Sequence, residues 1–338
     1  MKCVVTDYVE KDLDWEREQY EAAGVAFEPL QLRGAGAGRL LEQICDADVL
    51  VVDQARITPE VIAGLRNCTL IIRHGDGYDN LDVAAATDAG ILCANKPGFW
   101  SVNVAEQTVL LALSLIRKLP AQLAVAAAPI DGENSGWDLS PAMPMRLAGS
   151  LTAGVVGYGK IGEVVASMFS ALFDRVLVSD PGVTPGEKLS GANVVGASHE
   201  ELYRSADLIS LHVPATAKTT RMIDAAVLAL MKPGSYLVNT ARGAVVDSDA
   251  LANAVQSGHL AGAALDVTYP EPLPTDHPLH ACDNVMVTPH LGWYAEDALW
   301  NMRRSIVADV LGARDGTAPA SVLNRELLSS PACRLTSR

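Results

Sequence analysis

Three polar side chains stand just past short apolar runs, where a strand would deliver them to one edge of a sheet. Arg242 follows Leu237-Val238-Asn239-Thr240-Ala241, Glu271 follows Ala263–Val267 by way of Tyr269-Pro270, and His290 follows Val285–Thr288 and Pro289. A cation that polarises a carbonyl or holds a neighbouring carboxylate, and an imidazole that exchanges a proton, are what hydride transfer to or from a carbonyl needs beside a redox cofactor. A carboxylate next to the imidazole favours its charged form and keeps the proton donor loaded. Singly, each has a plainer reading, with Arg242 a loop-end surface arginine and His290 a satisfied core histidine.

A place for the cofactor is written upstream. Leu151–Val156 reads as a buried strand running into Gly157-Tyr158-Gly159-Lys160-Ile161-Gly162, which opens an apolar helix, and the next strand, Arg175–Ser179, ends at Asp180. Isolated, such a glycine pattern is a weak signal; with a strand before it, a helix after it and an acid about 20 residues on, it is a dinucleotide fingerprint. Gly157 permits the tight turn, Gly159 lets the backbone approach a pyrophosphate, and Gly162 allows close packing of helix on sheet. The helix N-terminus offers its unpaired N–H groups to the phosphates. Asp180 can accept hydrogen bonds from the adenosine ribose and would repel a 2′-phosphate, and Pro181 supplies no positive charge beside it, so NAD is the expected cofactor.

The elements that must carry these groups are legible as a β-α-β rhythm. Apolar runs at Lys2–Thr6, Val25–Leu30, Val49–Val52, Thr69–Ile72 and Ile91–Cys93 alternate with helical stretches such as Leu13–Ala23. Thr58 before Pro59 marks a helix start, and the helix is expected to run to Leu65. The fourth run feeds Arg73-His74-Gly75-Asp76-Gly77, a glycine-punctuated loop at the strand end where open α/β sheets place ligands. A helix is expected from Ser101 to Lys118, then a loop over Pro129–Pro144, rich in Gly, Pro, Asp and Ser.

With 338 residues the chain suits two domains, and 40 acidic against 26 basic residues give net −14, which disfavours nucleic acid and anionic lipid as partners. No apolar run approaches the length of a membrane span, the acidic start leaves no room for a secretory signal core, and a cytoplasmic location is expected. Cys3, Cys45, Cys68, Cys93, Cys282 and Cys333 are scattered and read as reduced, mostly buried thiols. His277 and His280 near Cys282 read as solvated loop residues, and no metal is expected.

GYGKIG with Asp180, NTARGAVVD (Asn239–Asp247), GAALDVTYPEP (Gly262–Pro272) and TPHLGW (Thr288–Trp293) together resemble the D-isomer-specific 2-hydroxyacid dehydrogenase family over nearly the whole length. The resemblance implies that Arg242 clamps a 2-oxo acid, His290 exchanges the proton and Glu271 hydrogen-bonds His290. It implies cofactor contacts from Gly157, Gly159, Lys160, Ile161, Gly162 and Asp180, and further ones from Thr108, His212, Pro214, Thr219, Thr240, Ala241, Asp266 and Gly292. Family members that oxidise formate carry glutamine where Glu271 stands, so formate is not the expected substrate.

RHGDGYDNLD (Arg73–Asp82) is similar to the family's substrate loop, with backbone N–H groups of Asp76 and Gly77 holding the substrate carboxylate. Many relatives carry a small or apolar residue where Asp76 stands. Arg73, and Trp293 followed by Tyr294 and Glu296, resemble the branch containing the transcriptional C-terminal binding proteins, in which the matching arginine and tryptophan line the substrate pocket. A surface ion pair for Arg73 and a packing or subunit contact for Trp293 are the plainer alternatives.

The fold implied is α/β, two Rossmann-like or flavodoxin-like domains with parallel sheets and a cofactor cleft between them. A discontinuous substrate domain (1–98 and 298–338) would flank a nucleotide domain (99–297), with helices from about Ser101 and Ala295 as hinges, frayed residues after Pro331, and a homodimer. The activity implied is NAD-dependent interconversion of a 2-oxo acid and its D-2-hydroxy acid. An NAD(H)-responsive binding scaffold, or oxidation of a phosphite- or phosphonate-type substrate, are the alternatives.

Overall fold

The computed structural model of the chain describes residues 1–128 and 137–335. It divides into two compact units, Met1–Trp100 with Ala295–Arg338, and Ser101–Tyr294. Along the chain the first unit supplies β1 (Lys2–Val5), α1 (Asp14–Ala22), β2 (Ala26–Pro29), α2 (Ala37–Ile44), β3 (Val49–Val52), α3 (Pro59–Gly64), β4 (Leu70–Arg73), α4 (Val83–Asp88) and β5 (Leu92–Ala94). The second begins with α5 (Ser101–Ile116), α6 (Leu119–Ala127), β6 (Thr152–Val156), α7 (Lys160–Ser170), β7 (Arg175–Ser179) and β8 (Val194–Gly196). It continues with α8 (His199–Ser205), β9 (Leu208–Leu211), α9 (Ala225–Leu230), β10 (Ser235–Asn239), α10 (Ser248–Gln256), β11 (Leu260–Leu265) and β12 (Val285–Val287), and α11 (Glu296–Arg314) returns the chain to the first unit.

Both sheets are wholly parallel, and their strands carry near-continuous apolar runs because helices cover both faces. In the second unit the order is β12-β11-β10-β9-β6-β7-β8, a doubly wound sheet whose switch point lies between β6 and β9. Neighbouring residues of one strand feed opposite faces. Val156, Leu177 and Leu237 enter the core under α8, α9 and α10, while Val155, Val178 and Val238 enter the core with Leu111, Leu115, Val165 and Phe169 of α5 and α7. The first unit has the order β2-β1-β3-β4-β5, with its switch point between β1 and β3. Its returning helix α11 is fastened to α1 by Arg303, whose guanidinium meets both carboxylate oxygens of Glu16 at 2.5 and 2.6 Å.

Helix α3 starts as its sequence requires, with the Thr58 hydroxyl accepting from the Val61 N–H. The helix expected to continue to Lys118 stops at Ile116, and α6, unforeseen in the sequence, starts at Leu119. Lys118 adopts a left-handed φ of 47°, and Pro120 falls in the first turn of α6, where a missing N–H costs nothing. Of the loop expected over Pro129–Pro144, residues 129–136 lie outside the described residues; the remainder holds one 3₁₀ turn, Ser140–Ala142. Residues 332–335 are packed where fraying was expected, and 336–338 lie outside the described residues. Cys333 and Leu335 are buried, Arg334 N–H donates to the Gly90 carbonyl, and its guanidinium reaches the Leu65 and Cys68 carbonyls. Cys3, Cys68, Cys93 and Cys282 are also buried. Among the described residues no single helix is long and apolar enough to cross a membrane.

Candidate active site

In the second unit the functional side chains sit where the strands end. The turn after β6 holds Gly157 at φ +96°, and a Cβ there would lie 2.4 Å from the His212 carbonyl oxygen. A Cβ on Gly162 would come within 2.1 Å of the Gly157 carbonyl, so α7 can lie against the turn only as glycine. At Gly159 a Cβ would meet nothing within 4 Å. Nothing within the protein requires glycine there, and the position is open to an approaching pyrophosphate. Gly159 caps α7 without any side-chain hydrogen bond, Lys160 and Ile161 form its first turn, and the helix N-terminus keeps N–H groups for an anion.

Asp180, past β7, accepts from the Tyr158 N–H at 2.9 Å and the Gly182 N–H at 2.8 Å, which ties it to the glycine turn. His212 lies past β9, its Nε2 2.8 Å from the Ser210 hydroxyl. Burial pushes its imidazole down to about 3, so it is neutral near pH 7. Beyond it, the Thr219 hydroxyl folds its own loop by donating to the Pro214 carbonyl at 2.5 Å. Thr108 of α5 and Thr240, past β10, are both buried, and their hydroxyls meet at 2.8 Å. These residues, open Gly159 and Asp180 among them, fit a dinucleotide whose adenosine ribose carries free hydroxyls.

Arg242, Glu271 and His290 lie on the loops after β10, β11 and β12. Asn239 shapes the first turn, accepting from the Ala241 N–H and donating to the Arg242 carbonyl, both at 3.0 Å. Arg242 Nη1 donates to the Ala241 carbonyl at 2.8 Å. Gly243 lets this turn lie on the next, since a Cβ there would sit 2.0 Å from the Thr268 carbonyl. Three residues beyond Thr268, Glu271 Oε1 accepts from His290 Nδ1 at 2.6 Å. Burial raises the Glu271 pKa, but the bond and charge of His290, the Thr268 backbone and the Arg242 charge outweigh it and hold the carboxyl below its ordinary range. With Nδ1 committed to Glu271, the Nε2 of the half-exposed His290 ring is the nitrogen left for a reacting group.

His290 itself has a left-handed φ of 55°, a conformation that needs support in a non-glycine residue. Asp266 supplies it. Its Oδ1 accepts from the Thr288 hydroxyl at 2.6 Å and the Leu291 N–H at 3.2 Å, and its Oδ2 accepts from the Gly292 N–H at 2.9 Å. Gln107 of α5 donates to the Thr288 hydroxyl at 3.4 Å. Asp266, read from sequence as a cofactor contact, is placed by the structure beneath the loop that presents His290. Sequence reasoning missed Asn239, Thr288 and Gln107 as positioning groups; a polar residue at the end of an apolar strand was the available signal for the first two. The Trp293 carbonyl accepts from the Asn103 amide at 2.8 Å, and its ring meets Tyr294 edge-on with centroids 5.5 Å apart.

The first unit holds the other expected loop, past β4. Arg73 is engaged by Asp53 at 3.3 Å and by the His74 carbonyl, under Gly75. His74 Nε2 lies 3.1 Å from a buried Glu10 oxygen. Burial would raise the Glu10 carboxyl, yet the hydrogen bond and charge of His74 bring it down to about 2. Gly77 is half-buried, and Asp76 Oδ2 accepts from the Gly98 N–H at 3.3 Å. His277, set aside as a ligand, pairs with Asp249 at 3.5 Å and caps its own turn at Leu279.

A parallel sheet with a glycine turn at its switch point and an acid at the end of the adjacent strand defines a dinucleotide-binding α/β protein. Residues 109–292 match the NAD binding domain of the D-isomer specific 2-hydroxyacid dehydrogenases. A glyoxylate reductase from Thermofilum pendens is 34% identical over 294 residues, 86% of this chain and 85% of its own length. The chain belongs to the D-isomer specific 2-hydroxyacid dehydrogenase family. A D-3-phosphoglycerate dehydrogenase from Archaeoglobus fulgidus is 35% identical over 292 residues, covering 86% of this chain and 54% of the relative. The chain spans about half the length of the phosphoglycerate dehydrogenases it matches. The crystal structure of a D-lactate dehydrogenase from Aquifex aeolicus, complexed with NAD and lactic acid, superposes with a TM-score of 0.77 at 29% identity over 93% of this chain and 96% of that one.

Proposed function

We propose that the protein interconverts a 2-oxo acid and its D-2-hydroxy acid with NAD(H). The observation that carries this is the His290–Glu271 hydrogen bond, held beside Arg242 in the unit that contains the dinucleotide turn. Relatives named for D-3-phosphoglycerate and glyoxylate, and a structure holding lactic acid, support 2-oxo and 2-hydroxy acids as the substrate class. When bound, NADH supplies the hydride. Arg242 pairs with the substrate carboxylate and draws charge from the carbonyl oxygen; His290 Nε2 delivers the proton that oxygen takes up. Glu271 holds the ring with Nδ1–H donating, and the Asp266-braced turn fixes where Nε2 points. In the first unit, Arg73 braces from beneath the loop that carries the Asp76 and Gly77 N–H groups, which can hold an anion. Within the family we read the chain as akin to the branch containing the C-terminal binding proteins, a reading supported by Arg73 and Trp293. A cytoplasmic homodimer joined through the nucleotide-binding unit completes the reading.

Replacing His290 with Ala tests it. NADH oxidation against a panel of 2-oxo acids is expected to fall at least about a thousandfold, with NADH still binding by fluorescence. Retained turnover overturns the assignment of His290. Tight NADH binding by the wild-type chain with no turnover of any acid makes a dinucleotide-responsive scaffold the better reading.

A further inference from the structure

The loop that carries Glu271 leaves β11 and runs over the surface of the second unit. Between Tyr269 and Ala281 every residue is exposed except Leu273, His277 and Leu279. Leu273 and Leu279 are buried in the core that also holds Leu251, Ala252 and Val255 of α10. His277 adds a polar fastening at the same place. Its side chain is only 13% exposed, its Nδ1 accepts from the Leu279 N–H at 3.2 Å, and its Nε2 lies 3.5 Å from Asp249 Oδ1 on α10. Because Nδ1 accepts, the ring proton of the neutral imidazole sits on Nε2, toward the carboxylate. Both nitrogens are thus engaged, yet the ring has no part in the chemistry described above.

The backbone between Thr268 and His277 is stiff, since Pro270, Pro272 and Pro274 each fix a φ angle. At its near end a Gly243 Cβ would sit 2.0 Å from the Thr268 carbonyl, and the Thr268 hydroxyl donates to the Pro270 carbonyl at 2.9 Å. At its far end the His277 N–H donates to the Pro274 carbonyl at 3.0 Å. Glu271 lies between the two ends and is itself exposed, so the backbone on either side sets where its carboxylate stands.

Resting for its rate measurement on the dehydrogenase reading above, we infer that His277 is a positioning residue for the acid–base pair: it seats the Pro278–Ala281 turn on α10 and so fixes where the loop presents Glu271 to His290. Without the imidazole the Leu279 N–H loses its acceptor, and the far end of the loop is left to the apolar contacts of Leu273 and Leu279. A displacement there passes along the proline-stiffened backbone to Glu271, where a bond of 2.6 Å tolerates little of it. A misplacement of about one ångström between reacting groups costs on the order of a hundredfold in rate, and a partial one about tenfold.

The test compares wild type with His277→Ala, His277→Asn and His277→Gln. Asparagine can accept from the Leu279 N–H as a capping residue does, whereas glutamine reaches toward Asp249 and leaves that N–H unmet. For NADH-dependent reduction of glyoxylate, pyruvate and the rest of the 2-oxo acid panel, kcat is expected to fall about tenfold in the alanine and glutamine variants, with KM and the NADH Kd within about twofold. The asparagine variant is expected to recover to within about threefold of wild type. Ring-nitrogen chemical shifts from isotope-labelled histidine, with His290 assigned by its loss in His290→Ala, report on the pair without turnover. Wild type and His277→Asn should hold neutral His290 as the Nδ1–H tautomer, and the other two variants should show a mixture. Where His277→Ala fails to fold, the asparagine and glutamine variants carry the same decision. An unchanged His290 tautomer in His277→Gln, or equal losses in His277→Asn and His277→Gln, overturns the assignment. A tautomer that follows His277 in a chain that turns over no acid of the panel upholds the positioning role and overturns the dehydrogenase reading instead.

Discussion

At the scale of single residues, the site is a matter of which nitrogen and which oxygen are already committed. His290 gives Nδ1 to Glu271, and that choice leaves Nε2 for a substrate oxygen. Glu271 is held below the ordinary carboxylate range despite burial, so it stays ionised at pH values where an exposed glutamate has begun to protonate. Because a depressed carboxylate loses its charge only as the pH falls through its lowered value, the pair is intact across the neutral range and fails on the acid side. Glu271→Gln keeps an acceptor near Nδ1 and removes the charge. Its kcat for reduction is expected to drop about tenfold to a hundredfold, with the acid limb that protonation of Glu271 produces lost from the pH profile. An unmoved limb would assign Glu271 a purely geometric part.

Elements decide whether those residues can meet anything. The three glycines after β6 have three different reasons, which the structure separates: Gly157 abuts the His212 carbonyl, Gly162 abuts the Gly157 carbonyl, and Gly159 faces open space. Gly162→Ala is therefore expected to lower the melting temperature by several degrees and to weaken NADH together with the fold. Gly159→Ala has an ordinary φ of −80° and no clash, so its melting temperature should hold or rise slightly while the NADH Kd increases at least about tenfold. Equal losses of stability in the two variants would dissolve the distinction. This turn was legible in the sequence because a strand, three spaced glycines and an acid are local signals. Arg242, Glu271 and His290 were legible as strand-end residues, and their mutual arrangement came from the family resemblance. The Asp266 brace was not legible, because it joins residues 22 to 26 positions apart through one hydroxyl and two backbone N–H groups that look alike in any sequence. Nor was α6, whose start depends on one left-handed lysine that no periodicity announces. The packed tail escaped for a similar reason, since Cys333 and Leu335 are buried by contacts hundreds of residues away in sequence.

For the molecule as a whole, charge and apolar surface point in opposite directions. A net charge of −14 keeps copies apart at long range, so any self-association must come from a concentrated apolar area. The second unit has one. Leu110 on α5, Leu123 on α6, and Trp137, Leu139, Met143 and Leu147 beyond it are each more than half exposed. The segment around Met143 lies against the start of α6, where Lys118 Nζ donates to the Met143 carbonyl at 3.1 Å and Gln122 Nε2 reaches Met145 Sδ at 3.8 Å. Single exposed leucines need no explanation, but six large apolar side chains exposed within residues 110–147 of an acidic protein fit a covered face. The proposed homodimer covers it with the same face of a second copy, a self-complementary contact of the kind most common among homo-oligomers. Sedimentation equilibrium at micromolar concentration is expected to give twice the chain mass of 35.7 kDa. The double substitution Leu123→Glu with Leu147→Glu brings four added carboxylates together across such a face and should give the monomer, with the circular dichroism and NADH binding of each copy retained. Wild type that sediments as a monomer removes this face as the site of assembly. A dimer that survives both substitutions places the contact elsewhere on the chain.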